Sequence, residues 1–98
     1  MRKIINGKVY DSEKASIIAF AKSNSVRDWW VEALYKTSNG NLFLTTEGNV
    51  SSNWIKHNND RGIREMIIAL SESEAIDWCE KNSIDPEEIK DDLCLEEA

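Results

Sequence analysis

Trp29-Trp30-Val31-Glu32-Ala33-Leu34-Tyr35-Lys36-Thr37-Ser38-Asn39-Gly40-Asn41-Leu42-Phe43-Leu44-Thr45-Thr46 is the stretch whose reading decides the fold. Two runs rich in aromatic and apolar residues flank a polar loop that carries a glycine, the pattern of an antiparallel hairpin. Side chains alternate across a strand. The first run therefore puts Trp29, Val31, Ala33 and Tyr35 on one face and Trp30, Glu32, Leu34 and Lys36 on the other.

Towards the C-terminus, Glu47-Gly48-Asn49 is turn material. Residues 51–62 read as a polar loop interrupted by Trp54-Ile55, and Met66-Ile67-Ile68 mark a buried strand over residues 64–70. Towards the N-terminus, Asn6-Gly7 separates residues 2–5 from residues 8–10. Asn-Gly tolerates the positive φ that both positions of a tight hairpin turn require, so a first hairpin is expected there. Between the hairpins, Asp11 or Ser12 is expected to cap a helix reaching to about Ser23. Ala15, Ile18, Ala19 and Ala21 or Lys22 recur near helical spacing, and Ile17 and Phe20 widen the stripe.

Two further helix starts stand near the end. Ser71-Glu72-Ser73-Glu74 is a capping box for a helix running to about Asn82. Asp85-Pro86-Glu87-Glu88 caps another, with proline at the first helical position and Ile84 and Ile89 spaced as a hydrophobic staple. That helix is expected to run to about Leu95, with Ile89, Leu93 and Cys94 turned inward. The sum is an α+β fold in a single domain over residues 1–98: a small antiparallel sheet of about four to five strands, with two hairpins and two or three helices. At 98 residues the chain holds one core without needing a disulfide or metal staple.

Composition narrows the function classes. The chain is 41% hydrophobic and 31% charged, which fits a folded domain rather than a disordered one. No apolar run approaches the length of a membrane span or a signal peptide, so a cytoplasmic protein is expected, with Cys79 and Cys94 as reduced thiols. The glycines are scattered, so no phosphate-cradling loop is written. The sole histidine, His57, lies in a polar stretch, and no Cys/His set stands at ligand spacing. No catalytic residue, metal site or cofactor is expected, and the chain is not expected to be an enzyme. A net charge of −6 argues against direct nucleic-acid binding, which needs a basic face.

Charge is unevenly divided. Residues 72–98 hold eleven carboxylates against Lys81 and Lys90, a net of −9, whereas residues 1–71 carry +3. Glu72, Glu74, Asp85, Glu87 and Glu88 sit in first helical turns, where negative charge is favourable. Asp77, Glu80, Asp91, Asp92, Glu96 and Glu97 lack that explanation. In a helix reaching Leu95, Glu87/Asp91, Glu88/Asp92 and Asp92/Glu96 would be like-charge neighbours, each costing about 0.2–0.5 kcal/mol. One reading of the acidic end is solubility. Another is a row of carboxylates on a helix face that occupies a Lys/Arg groove on a partner, with Asp77, Glu80, Glu87, Glu88, Asp91 and Asp92 as contacts. Trp30, Tyr35 and Trp54 are candidate aromatic anchors wherever they are exposed.

Three blocks carry a resemblance: Ile4-Ile5-Asn6-Gly7-Lys8-Val9-Tyr10-Asp11-Ser12-Glu13, then residues 32–48, then Ile68-Ala69-Leu70-Ser71-Glu72-Ser73-Glu74-Ala75-Ile76-Asp77-Trp78. Their order resembles a family of small acidic proteins carried by phages, plasmids and other mobile elements of bacteria, chiefly Firmicutes. Some proteins of that kind are anti-CRISPR proteins. The resemblance implies a non-enzymatic inhibitor that binds a host CRISPR effector protein or complex, an RNA-guided nuclease, and blocks nucleic-acid binding or cleavage. The alternative is a small regulatory or antitoxin-like protein of a mobile element, either a homodimer, for which the hairpin at residues 29–46 could pair edge to edge, or the acidic partner of a basic toxin.

Overall fold

A computed structural model describes residues 1–24, 29–48 and 64–98. Strands β1 (Arg2–Ile5) and β2 (Lys8–Asp11) form a two-stranded sheet. Asn6 at φ 51° and Gly7 at φ 77° make the tight turn between them, as the Asn-Gly pair predicts. Strands β3 (Ser16–Lys22), β4 (Trp30–Lys36), β5 (Leu42–Gly48) and β6 (Arg64–Leu70) form a four-stranded antiparallel sheet in that order. Helices α1 (Glu72–Lys81) and α2 (Pro86–Ile89) follow. The fold is α+β with strands dominant: six strands and two short helices among the described residues.

The helix expected from Asp11 or Ser12 to Ser23 is not formed; the chain makes β3 instead. The polar start is still used as a cap of a kind, because the Asp11 carboxylate accepts from the Glu13 N–H at 3.0 Å and its carbonyl from the Lys14 N–H at 3.1 Å. A turn is all that this starts. Ile17 and Ile18 are β-branched and Phe20 is aromatic, side chains that favour a strand. A β-bulge explains the misleading spacing. Ile17 pairs with Tyr35 but Ala19 pairs with Leu34, so Ile18 is the extra residue. Ile18 and Ala19 then both enter the same core, and consecutive buried residues break the alternation that marks a strand.

The two faces of the large sheet carry separate cores. On one, Leu34, Leu44 and Ile68 form a row across β4, β5 and β6, and Ala75, Trp78 and Cys79 of α1 pack on it with Ile89 and Leu93. On the other, Phe43 is fully buried between Tyr10 of β2, edge-on at 5.5 Å, and Tyr35 of β4, stacked at 5.0 Å. Ile67 completes that smaller core. At the far end of the sheet Gly48 faces Trp30, and a Cβ there would lie 2.5 Å from the Trp29 carbonyl oxygen, so glycine permits the close approach.

Helix α1 begins as its capping box predicts. Ser71 Oγ accepts from the Glu74 N–H at 3.1 Å, and Glu74 Oε1 accepts from the Ser71 N–H at 2.8 Å. Its indole reaches the sheet: Trp78 Nε1 donates to the buried Glu32 at 3.0 Å. α2 is one turn and ends at Ile89, not near Leu95. Continuing it would align three like-charge pairs and set Asp91, Asp92 and Glu96 against the negative end of the helix dipole. The chain turns instead, with Leu93 N–H bonded to the Ile89 carbonyl at 2.9 Å, and Leu93 is buried all the same.

Candidate acidic docking surface

The end of α1 sets the geometry of the acidic region. Ser83 takes a left-handed φ of 53°. Its N–H bonds to the Glu80 carbonyl at 3.2 Å, and the Ile84 N–H bonds to the Cys79 carbonyl at 3.0 Å. This paired arrangement reverses the chain at a helix end and satisfies carbonyls the helix leaves open. Ile84 is thereby laid against the core beside Ile89, and Asp85 caps α2 by accepting from the Glu87 N–H at 3.0 Å. A second tie holds the turn after α2: Lys36 Nζ of β4 donates to the Asp92 carbonyl at 2.9 Å.

Between α1, α2 and residues 94–97 these constraints leave an open groove of about 790 Å³. Ile76, Cys79, Ile84, Ile89 and Leu95 supply its apolar surface, and Glu80, Glu87, Glu96 and Glu97 supply carboxylates. Lys90 also lines it but is held by Glu87 at 2.9 Å. Both members of that pair are well exposed, so it contributes little to stability, though it offsets one negative charge locally.

The six carboxylates expected as contacts are not one helical row, since α2 is too short to carry it. Asp77 and Glu80 are exposed on α1, Glu87 and Glu88 are exposed on α2, Asp91 is exposed in the turn beyond, and Asp92 there is half-buried. Only Glu80 and Glu87 of the six line the groove. Glu96 and Glu97, which the helical reading did not place among the contacts, line it with them. Among the described residues, Glu87 is the one member of the six in an ion pair.

The aromatic anchors fare differently. Trp30 is half-buried on β4, and its backbone N–H donates to Ser23 Oγ at 3.0 Å. Tyr35 is half-buried and stacked on Phe43. Neither is an exposed anchor. Trp54 lies outside the described residues, as do His57 and the loop read at residues 51–62. Edge-to-edge pairing of the second hairpin is excluded by the topology, because β4 and β5 are the two inner strands of the four; β3 and β6 are the outer ones.

A second cleft, of about 460 Å³, lies between the first hairpin and the β4–β5 turn. Lys8, Lys14 and one carboxylate, Asp11, line it with Tyr10, Asn39 and Asn41, and Lys8 Nζ donates to Asn41 Oδ1 at 3.3 Å. Among the described residues no three His, Cys, Asp or Glu side chains gather as a metal site, and no helix is long and apolar enough to cross a membrane. Burial pushes the Cys79 thiol up from its ordinary range, away from the reactive thiolate, whereas Cys94 is exposed.

No family model matches this chain, and no curated protein or solved structure matches it either.

Proposed function

We propose that this chain is an acidic docking protein that occupies a basic surface of another macromolecule. The resemblance to mobile-element proteins points to one such surface, the nucleic-acid channel of a host RNA-guided nuclease complex. The observation that carries the reading is the cluster of exposed carboxylates around α1, α2 and the C-terminal residues, where Lys90, the one lysine among the described residues of the groove, is already paired. RNA-guided nucleases hold their guide–target duplex in a strongly positive channel. Opposite potentials speed encounter and fix orientation. Filling that channel would block nucleic-acid binding or cleavage without any bond made or broken by this chain.

The test is a cleavage assay with an assembled effector–guide complex. Chain added before target DNA is expected to suppress cleavage, and the suppression is expected to fade as salt rises from about 0.05 M to about 0.3 M and the screening length shortens. Replacing two exposed carboxylates, Glu80→Lys with Glu87→Lys, is expected to weaken association by about tenfold or more. Undiminished inhibition by that folded variant, or no association with effector complexes at low salt, overturns the proposal.

A further inference from the structure

Charge alone does not describe the groove. A surface that only imitated a phosphate backbone would be polar throughout, yet here carboxylates border an apolar strip. Ile76 and Ile84 are half-buried and Leu95 keeps 40% of its surface exposed. Water against these side chains is costly, and a partner's apolar group would displace it. Nucleic acid is a poor occupant, because its phosphates would meet Glu80, Glu87, Glu96 and Glu97. A bare polycation would satisfy the carboxylates and leave the strip wet.

We infer that the groove receives an amphipathic cationic protein segment: one or two aliphatic side chains seated on Ile76, Ile84 and Leu95, flanked by Lys or Arg facing the carboxylates. This rests on the docking reading above and specifies the partner's contact element. The complementarity is twofold, in charge at the border and in polarity at the floor. α1 spans ten residues, about 15 Å, so two or three turns of a helical segment match its length. Apolar residues at i, i+3, i+4 and i+7 with basic residues between them are the pattern such a groove selects.

The experiment uses the full chain and two labelled synthetic peptides of equal length and charge, read by fluorescence anisotropy. One is a Leu/Lys helix with leucines at i, i+3, i+4 and i+7; in the other those leucines are serines. The leucine peptide is expected to bind about tenfold or more tightly, as burial of one or two aliphatic side chains implies. The preference should persist at about 0.3 M salt, where electrostatic attraction is screened. Leu95→Ser, at an exposed position outside helix and strand, is expected to erase the preference while leaving the circular dichroism unchanged. Equal binding of both peptides, weakening together with salt, overturns the amphipathic partner and leaves the docking reading standing. A leucine preference that survives Leu95→Ser overturns it as well, since the peptide would then sit elsewhere. Binding of neither peptide at low salt removes this inference, and the docking reading is then judged by the cleavage assay alone.

Discussion

Helices α1 and α2 close one face of the four-stranded sheet, while the β1–β2 hairpin closes only part of the other. The helix side buries a continuous core from Ile18 and Ala19 on β3 to Leu93 beyond α2. The hairpin side buries Tyr10, Phe43 and Ile67, and it leaves Ile17 and Phe20 on β3 57% and 60% exposed. The means of attachment differ too. α1 is tied at its start by a reciprocal cap, at its end by the Ser83 reversal, and at its middle by the Trp78–Glu32 bond. A two-stranded ribbon has marginal stability by itself. The hairpin therefore depends on its contacts with the large sheet: Tyr10 against Phe43 and Ile67, Ile5 beside them, and Lys8 bonded to Asn41. The acidic groove is built on the better-secured side, which suits the docking role proposed for it.

The largest effects should come from the fully buried residues of each core, and they can break this comparison outright. Phe43→Ala is expected to cost about 3–5 kcal/mol and Leu34→Ala about 2–5 kcal/mol, the usual range for emptying such sites. Both are completely buried and lie on adjacent strands. Their local consequences should differ. Hydrogen exchange is expected to rise first in β1 and β2 for Phe43→Ala, with α1 protected, and first in α1 for Leu34→Ala. Equal loss of protection in both places would make the two sides one cooperative unit.

What the sequence made legible follows the same division between local and distant causes. The Asn6-Gly7 turn, the Ser71–Glu74 cap and the Asp85-Pro86 start each depend on a few neighbouring residues, and each stands where their chemistry puts it. β3 was illegible because its pattern is set by a bulge against β4. With Ile18 and Ala19 turned to one side, residues 15–22 carry an apolar spacing that imitates a helix. The early end of α2 had a visible cause, the stacked carboxylates of residues 87–96. Their cost of about 0.2–0.5 kcal/mol per pair, added to the opposing dipole, weighs against lengthening the helix, and the Lys36 bond to the Asp92 carbonyl holds the turn that forms in its place. The groove was hidden for another reason. Bringing Glu96 and Glu97 to Glu80 requires the reversal at Ser83, a left-handed position where glycine is the usual signal. Nothing in serine announces it.

A middle-sized effect sharpens the account of the helix side. Ser71→Ala removes the acceptor for the Glu74 N–H and is expected to cost about 1 kcal/mol, as loss of an N-cap hydroxyl does. Thermal unfolding should report it. If the two bonds hold each other in place, losing either loosens the other, and Ser71→Ala with Glu74→Ala should cost less than the sum of the two single changes. Strict additivity would mean that the two bonds act independently.

The smallest effect tests the bulge itself. In a regular strand Ile18 and Phe20, two residues apart, share a face and respond alike to substitution. Here the extra residue separates them: Ile18 is buried in the helix-side core, and Phe20, paired with Ala33, is turned to the thinly covered side. Phe20→Thr keeps a strand-forming side chain at an exposed position, so its effect on stability is expected to stay within about 0.5 kcal/mol. Ile18→Val, though the milder change chemically, is expected to cost about 0.5–1.5 kcal/mol because it empties part of a packed site. Denaturant unfolding of the two variants measures the difference directly. The reverse order, with Phe20 the costlier loss, would place Phe20 in a core and remove the bulge from the explanation of β3.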